Sequence, residues 1–416
     1  MLKTIFTEEK IEKIRGSLKE DNHFFEKRKL SLDSFYSYPL PSNKSEEWRY
    51  TDISFLDFSK FDNDIKNPEI KMDGFHDLLK EKGVIFTTII EAISKHPEII
   101  KEYLFSKKDN YEDKFLALHK AMWNGGVFIY VPKNVEVDTI FKVKYNVLES
   151  SSLFNHTLII LEQGASLTYS EEHTSEKGDY EAFRCDSVEV YAKENSKLNF
   201  NNFQNWNDNI TNVSYWSARV SRDAQVNWRF SQLGGKFSRI KIDTHLDGEG
   251  SNSTNKGLVY ANKNQKFDIT TNPHHHVRNT ISDVLVKGAF DGESNSVYRG
   301  LILIDEEGKE TQSYLSNHSL MLSENAVSNT IPSLKIETDD VRASHGATLG
   351  KIDKDHLFYL KTRGIDQKSG ERLLITALLN ETIDDMKDIV KAFNKVFSNL
   401  DVVDSVILSE ELRYKW

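Results

Sequence analysis

The sequence predicts a mainly β protein, with a solenoid of stacked strands at its centre and helical regions on either side. Three observations predict it. From Phe115 to about residue 350, strand-like apolar runs alternate with short polar turns and no convincing helix intervenes. Small residues recur in similar turns at Ala165, Ser196, Ala224 and Gly250, at intervals of roughly 31, 28 and 26 residues, and the turn type returns at Ser294 and Ala326. Periods of that order suit rungs that bury their faces only against neighbouring rungs. Finally, asparagine, serine and threonine recur where stacked rungs would form side-chain ladders, which favours a parallel β-helix over a sandwich.

The expected organisation is a mostly helical N-terminal region (1–114), a β-helix core (115–364) and a C-terminal helical region (365–416). In the first region Thr7-Glu-Glu-Lys opens a segment with Ile11, Ile14 and Leu18 at helical spacing. Pro39-Leu-Pro41 breaks the chain. Ser45-Glu-Glu-Trp-Arg-Tyr-Thr-Asp-Ile53 then reads as a helix start that pins Trp48 and Tyr50 onto the body. A second helical tract spans about Ile89 to Phe105, with Ile90, Ile93, Ile99 and Leu104 as apolar positions.

The texture changes at Phe115. Leu116 to Trp123 reads as a short helix, Asn124-Gly-Gly126 as a turn and Val127–Val131 as a strand ended by Pro132. Further strands are expected at His156–Leu161, Ser187–Tyr191, Val213–Trp216, Gln225–Phe230, Gly257–Tyr260, Asp283–Val286 and Gly300–Ile304. From Asp366 to about Asn399 helical stripes return: Leu373, Leu374, Ala377 and Leu378, then Ile383, Met386, Ile389, Val390, Phe393, Val396 and Phe397. Glu381–Asp385 lies between them as an expected break.

Composition narrows the function. The chain has 416 residues and a formal net charge of −10, from 64 acidic against 54 basic residues. That balance argues against DNA, RNA or an anionic membrane as the main partner. The lone Cys185 excludes a disulfide scaffold and cannot hold an iron–sulfur cluster within one chain. It reads as a buried apolar residue. Met1–Lys10 shows no apolar leader core and no run reaches membrane-spanning length, so the expectation is a soluble, cytoplasmic protein.

Chemistry-bearing motifs are few. His274-His275-His276 is the densest histidine group; strand alternation lets at most His274 and His276 share a ligand sphere, and a turn-flanking polar cluster is the plainer reading. Asp283, Asp291, Arg299 and Lys287 could serve an acid–base site, although solvated strand edges explain them as well. No phosphate-binding Gly-x-x-x-x-Gly-Lys-Ser/Thr is present, and Gly248-Glu-Gly250 falls short of a dinucleotide fingerprint because Ser253 replaces its third glycine. Cys-x-x-Cys, His-Glu-x-x-His and Gly-x-Ser-x-Gly are also missing. A self-contained enzyme is not expected.

One stretch organises the rest. Ile336, Thr338, Asp340 and Arg342 alternate with Glu337, Asp339, Val341 and Ala343 as in a strand, and His345 follows on the Val341 side, next to Gly346. A hydrogen-bonded strand-end histidine is the plain reading of His345. Asp339–Thr348, then Phe358-Tyr-Leu-Lys-Thr-Arg-Gly-Ile365, resembles the signature of the SufB/SufD family of iron–sulfur cluster assembly proteins. The Glu46-Glu-Trp-Arg-Tyr-Thr51 and Gly126–Pro132 segments have counterparts there. Ser344-His345-Gly346 and Leu360 fit the SufD branch, whereas SufB carries Glu-His-Glu and a cysteine. Ala343 departs from the family, since many SufD proteins have cysteine there.

The resemblance implies a right-handed parallel β-helix and a non-catalytic scaffold subunit. It implies pairing with a SufB-like chain and binding of a SufC-like ABC-type ATPase through the C-terminal helices, where Met386 and Phe393 are the expected contacts. His345 then becomes a ligand for iron or a nascent cluster at the partner interface, with Asp339 orienting it from behind. The resemblance leaves open whether iron, sulfide or an intact cluster is held, and whether a flavin joins the complex. The competing class is a β-helix carbohydrate lyase or hydrolase, which needs a groove of paired Asp residues, or Asp with Lys or Arg, usually on a secreted protein.

Overall fold

A computed structural model describes residues 6–61, 69–106, 113–149, 151–176 and 178–383. From Gly125 onward strands alternate between two sheets, except that Ser151–Leu153 and Asn155–Leu161 both join the ten-stranded one, and strands within each sheet pair in parallel, one rung on the next. The result is a parallel β-solenoid of about eight turns.

The rungs turn at a repeated corner. Asn134, Gly164, Asn195, Asp223, Gly250, Asn279 and Glu310 all have positive φ. The amide of each donates to a carbonyl of the next corner, from Asn134 to Gln163 and onward to Glu310 and Asp340. Asparagine, aspartate and glycine tolerate this backbone region best, which explains the polar turns. A small buried residue follows several of these corners: Ala165, Ser196, Ala224 and then Ser251. Gly250 is therefore the left-handed residue and Ser251 the true counterpart of Ala165. Ser294 and Ala326 belong to the opposite corner, since each leads into a strand of the other sheet.

Inside, Phe141, Tyr169, Phe200 and Trp228 stand in register on successive strands of the nine-stranded sheet, all fully buried. Outside, Thr168, Asn199, Asn227 and Thr254 form the expected ladder. Asn227 Nδ2 donates to Asn199 Oδ1 at 2.9 Å and Thr254 Oγ1 to Asn227 Oδ1 at 2.8 Å.

Helices Glu8–Leu18, Asn22–Ser37 and Lys114–Met122 belong to a second apolar core, which includes outward residues of the ten-stranded sheet such as Leu158, Phe183, Val213 and Phe237. Thr7, Asp21 and Asp113 cap them through side-chain oxygens. The tract from Ile89 is two helices, Ile89–Lys95 and Pro97–Tyr103, separated at His96 because Pro97 cannot continue the first. Glu46–Trp48 is one 3₁₀ turn; Trp48 is buried, but Tyr50 is half exposed at positive φ, so of the two expected aromatic anchors the tryptophan alone is buried.

The two ends of the solenoid differ. At the first rung, Glu69–Asp73 and Ile85–Thr88 pair antiparallel with the opening strands of the two sheets and cover both edges. At the last rung, Val327–Ile336 and Val341–Lys351 are the outermost strands, and no described residue pairs beyond them. The expected continuous strand through Ile336 to Ala343 is thus two strands in different sheets, joined by the corner 337–340. Alternation cannot be carried across a corner.

A separate compact unit begins at Lys351. In it helix Lys354–Thr362 is capped by Asp353, and helix Gln367–Ile383 packs Gly370 against Leu357. The second helix runs through Glu381 to Ile383, and the remainder of the expected break and stripe lies outside the described residues.

Candidate functional site

His345 lies on Val341–Lys351, the outermost strand of the nine-stranded sheet, with its side chain exposed. Val341 and Ala343 pack against the solenoid core, so the strand is anchored at its start and open beyond it. Gly346 faces Tyr314, whose hydroxyl would lie 3.4 Å from a Cβ there. One strand inward, His318 Nδ1 is 2.7 Å from Thr348 Oγ1. This edge therefore presents His345 and exposed Leu349, with Tyr314 one strand inward, while Val327, Leu334 and Ile336 are exposed on the outermost strand of the ten-stranded sheet.

Asp339 does not join this group. It sits in the corner before the strand, lining a cleft of about 320 Å³ with Glu310, Thr311, Asp340 and Arg342. The strand rises roughly 3.3 Å per residue, so His345 is about 13 Å beyond Val341. The strand begins only at Val341, so Asp339 lies in the corner and not on the strand that carries His345. Met386 and Phe393 lie outside the described residues.

The acid–base residues also stay apart. Arg299 is locked 2.8 Å from Asp268 and donates to the Arg49 carbonyl. Asp283 and Lys287 lie on Ile281–Phe290 of the other sheet, four residues apart, and Asp291 starts the following corner. No groove of paired carboxylates results from these four.

The histidine run divides as alternation requires. His275 points inward, 2.7 Å from Thr280 Oγ1 and 2.9 Å from Ser282 Oγ, and burial pushes its pKa down to about 3. His274 and His276 share the outer face. There they meet His245 from the preceding rung, which sequence reading missed because its register lies a full turn away.

A polar interior was also missed. Glu171 and His173 point inward in strand Ser166–Ser175, with Nε2 and Oε1 3.2 Å apart, and Asn202 Nδ2 donates to the same oxygen at 2.8 Å. Arg184, fully buried, donates to Asp186 Oδ2. Glu171, His173, Asp186 and Asn202 line a cavity of about 20 Å³, room for about one water. The available signal was the alternation Leu167, Tyr169, Glu171, His173, which places two charged residues on the inward face.

Comparison with known proteins settles the family. A model of the SufBD core domain of SUF-system iron–sulfur cluster assembly matches residues 144–378, and a model of the SufBD N-terminal region matches residues 75–143. The chain belongs to the SufBD family. Among relatives, the Bacillus subtilis iron–sulfur cluster assembly protein SufD is 32% identical over 314 residues, covering 74% of this chain and 71% of that protein. A SufBD family protein of Staphylococcus haemolyticus is 30% identical over 302 residues, and one of Staphylococcus epidermidis 29%. In both cases the match spans 65% of the relative and 72% of this chain. The SufBD core match runs from the second full strand of the solenoid to within helix Gln367–Ile383, and so contains both the exposed edge and the histidine face. No helix among the described residues is long and apolar enough to cross a membrane.

Proposed function

We propose that this SufBD protein is a non-catalytic scaffold subunit of an iron–sulfur cluster assembly complex. It pairs with a SufB-like solenoid through its last rung, and the region 365–416 binds a SufC-like ABC-type ATPase. His345 supplies a ligand for iron or a nascent cluster where the two solenoids meet. The observation that carries this reading is the unequal closure of the solenoid. One end is covered by antiparallel strands from the same chain, while at the other no described residue pairs with the outermost strands, which carry exposed Leu334, Ile336 and Leu349. Unpaired edges of this kind invite strand addition, and a second solenoid with a matching edge satisfies them.

An exposed imidazole beside Gly346 suits a shared site, since a partner's ligand can approach closely there. With Ala343 in place of a cysteine, any thiolate must come from the partner. Membership of the SufBD family, together with the scattered carboxylates, supports the assembly role over a carbohydrate-active one.

The test is sedimentation of the purified chain with and without a SufB-like protein. A monomer or weak homodimer that becomes a stable heterodimer is expected, and Leu334→Glu with Ile336→Lys should abolish the shift. A tight homodimer indifferent to the SufB-like chain refutes the pairing. Deleting about residues 366–400 should remove ATPase capture while the solenoid still melts cooperatively; an unfolded product would make that segment a structural cap instead.

A further inference from the structure

The outer face of the ten-stranded sheet carries a group that the assembly role does not use. His245 is the penultimate residue of strand Phe237–Leu246, directly opposite His274 in strand Lys266–His275, and His276 follows two residues later on the same side. Rings of His274 and His276 are 4.1 Å apart, and those of His245 and His276 stack at 5.3 Å with 7° between planes. One ring nitrogen from each of the three lies within 4.8 Å of the other two. All three side chains are partly accessible rather than sealed.

We infer that His245, His274 and His276 form a binding site for a first-row divalent transition-metal ion, separate from the edge that carries His345. Spacing supports this first. Two nitrogens on one ion, with bonds of about 2.0–2.1 Å, sit roughly 2.9–3.4 Å apart. His245 Nδ1 and His276 Nε2 are 3.0 Å apart. Orientation supports it next. Asp305 Oδ2 accepts from His276 Nδ1 at 2.7 Å, which fixes that proton and leaves Nε2 as the lone-pair nitrogen. A carboxylate behind a ligating imidazole is the usual way such rings are aimed. A fourth donor is at hand, because Asp247 Oδ1 lies 3.9 Å from His276 Nε2, held by Arg219 at 3.2 Å.

Without an ion, the proton between His245 and His276 keeps the two nitrogens together. An entering ion takes the place of the Nδ1 proton of His245, which is lost to water while Nε2 takes one up, so the ring stays neutral. Three imidazoles with one carboxylate select zinc, cobalt, nickel or ferrous ions, and disfavour magnesium and calcium, which prefer all-oxygen shells. The site uses residues from two rungs of this chain alone, so it needs no partner subunit.

The test uses the full-length chain stripped with chelator and titrated with Co²⁺, followed by visible absorption, with Zn²⁺ added in competition. One Co²⁺ per chain, an intense tetrahedral-type spectrum and displacement by Zn²⁺ are expected. His245→Ala and His276→Ala should each weaken binding at least tenfold, and Asp305→Asn about tenfold. His345→Ala should leave it unchanged. If a variant folds poorly, His274→Asn and the metal-induced rise in wild-type melting temperature decide the matter instead. No stoichiometric binding, or binding that survives the trio's substitutions, reduces the group to a hydrogen-bonded cluster at the strand ends. Binding lost in His345→Ala overturns the separate site.

Discussion

The guanidinium of Arg239 lies 4.1 Å from the ring centroid of Trp48, joining the segment around residue 50 to the middle of the solenoid. Arg239 also sits 2.8 Å from Asp268, its direct neighbour on the next strand, and Asp268 bonds Arg299 at 2.8 Å through its other oxygen. Thr51 donates to that same carboxylate. The Glu46–Thr51 motif is thus a latch, with one aromatic ring and one hydroxyl read by a buried Arg–Asp–Arg group.

Removing the shared carboxylate should be costly, because two largely buried cations would lose their partner. Asp268→Ala is expected to destabilise the chain by about 3–5 kcal/mol, and Trp48→Ala by about 3–5 kcal/mol through lost packing. Urea unfolding followed by tryptophan fluorescence measures both. Losses below 1 kcal/mol in either variant would show that the segment merely rests on the surface.

His119 predicts an acid-sensitive step. Its Nδ1 donates to the Cys185 carbonyl at 2.6 Å, and its Nε2 faces His156 Nδ1 at 3.1 Å. Complete burial, reinforced by the neighbouring His156, holds its pKa well below the usual value. Above about pH 6.5 both folded and unfolded chains keep it neutral. Below that value only the unfolded chain takes the proton, so stability should fall with decreasing pH by up to about 1.4 kcal/mol per unit. Comparing urea midpoints between pH 7.5 and 5.5, His119→Gln should lower stability at neutral pH yet show a shallower slope by about one proton. Equal slopes would remove His119 from the acid response.

Cys185 should be inert in the native chain. It is fully buried, its Sγ is 3.3 Å from the Phe115 carbonyl, and burial pushes the thiol well above its ordinary pKa. Since the thiolate is the reactive form, a maleimide or disulfide reagent should label it only after denaturation. Labelling at native pH 8 within minutes would mean this layer opens readily.

His345→Ala tests the edge site independently of stability. The exposed side chain contributes little to folding, so melting should stay within about 0.5 kcal/mol of wild type. Iron and sulfide retained by a reconstituted complex with a SufB-like chain should drop severalfold. If cluster content falls only in step with protein recovery, His345 is a strand-end residue and nothing more.

Local chemistry was enough to make the solenoid legible. Left-handed corners favour Asn, Asp or Gly, a small buried residue follows several of them, and Asn/Thr ladders need neighbours at one-rung spacing; each leaves a periodic mark in the sequence. His275 inward with His274 and His276 outward also followed from alternation alone. What sequence could not supply were relationships fixed by register between distant rungs. His245 meets His276, Arg239 meets Trp48, and the 337–340 corner separates Asp339 from His345, because lateral stacking, not chain proximity, sets those distances. The unequal pairing of the two ends was likewise decided only in three dimensions, where antiparallel strands from the N-terminal region satisfy the backbone groups of the first rung and no described residue pairs with the last.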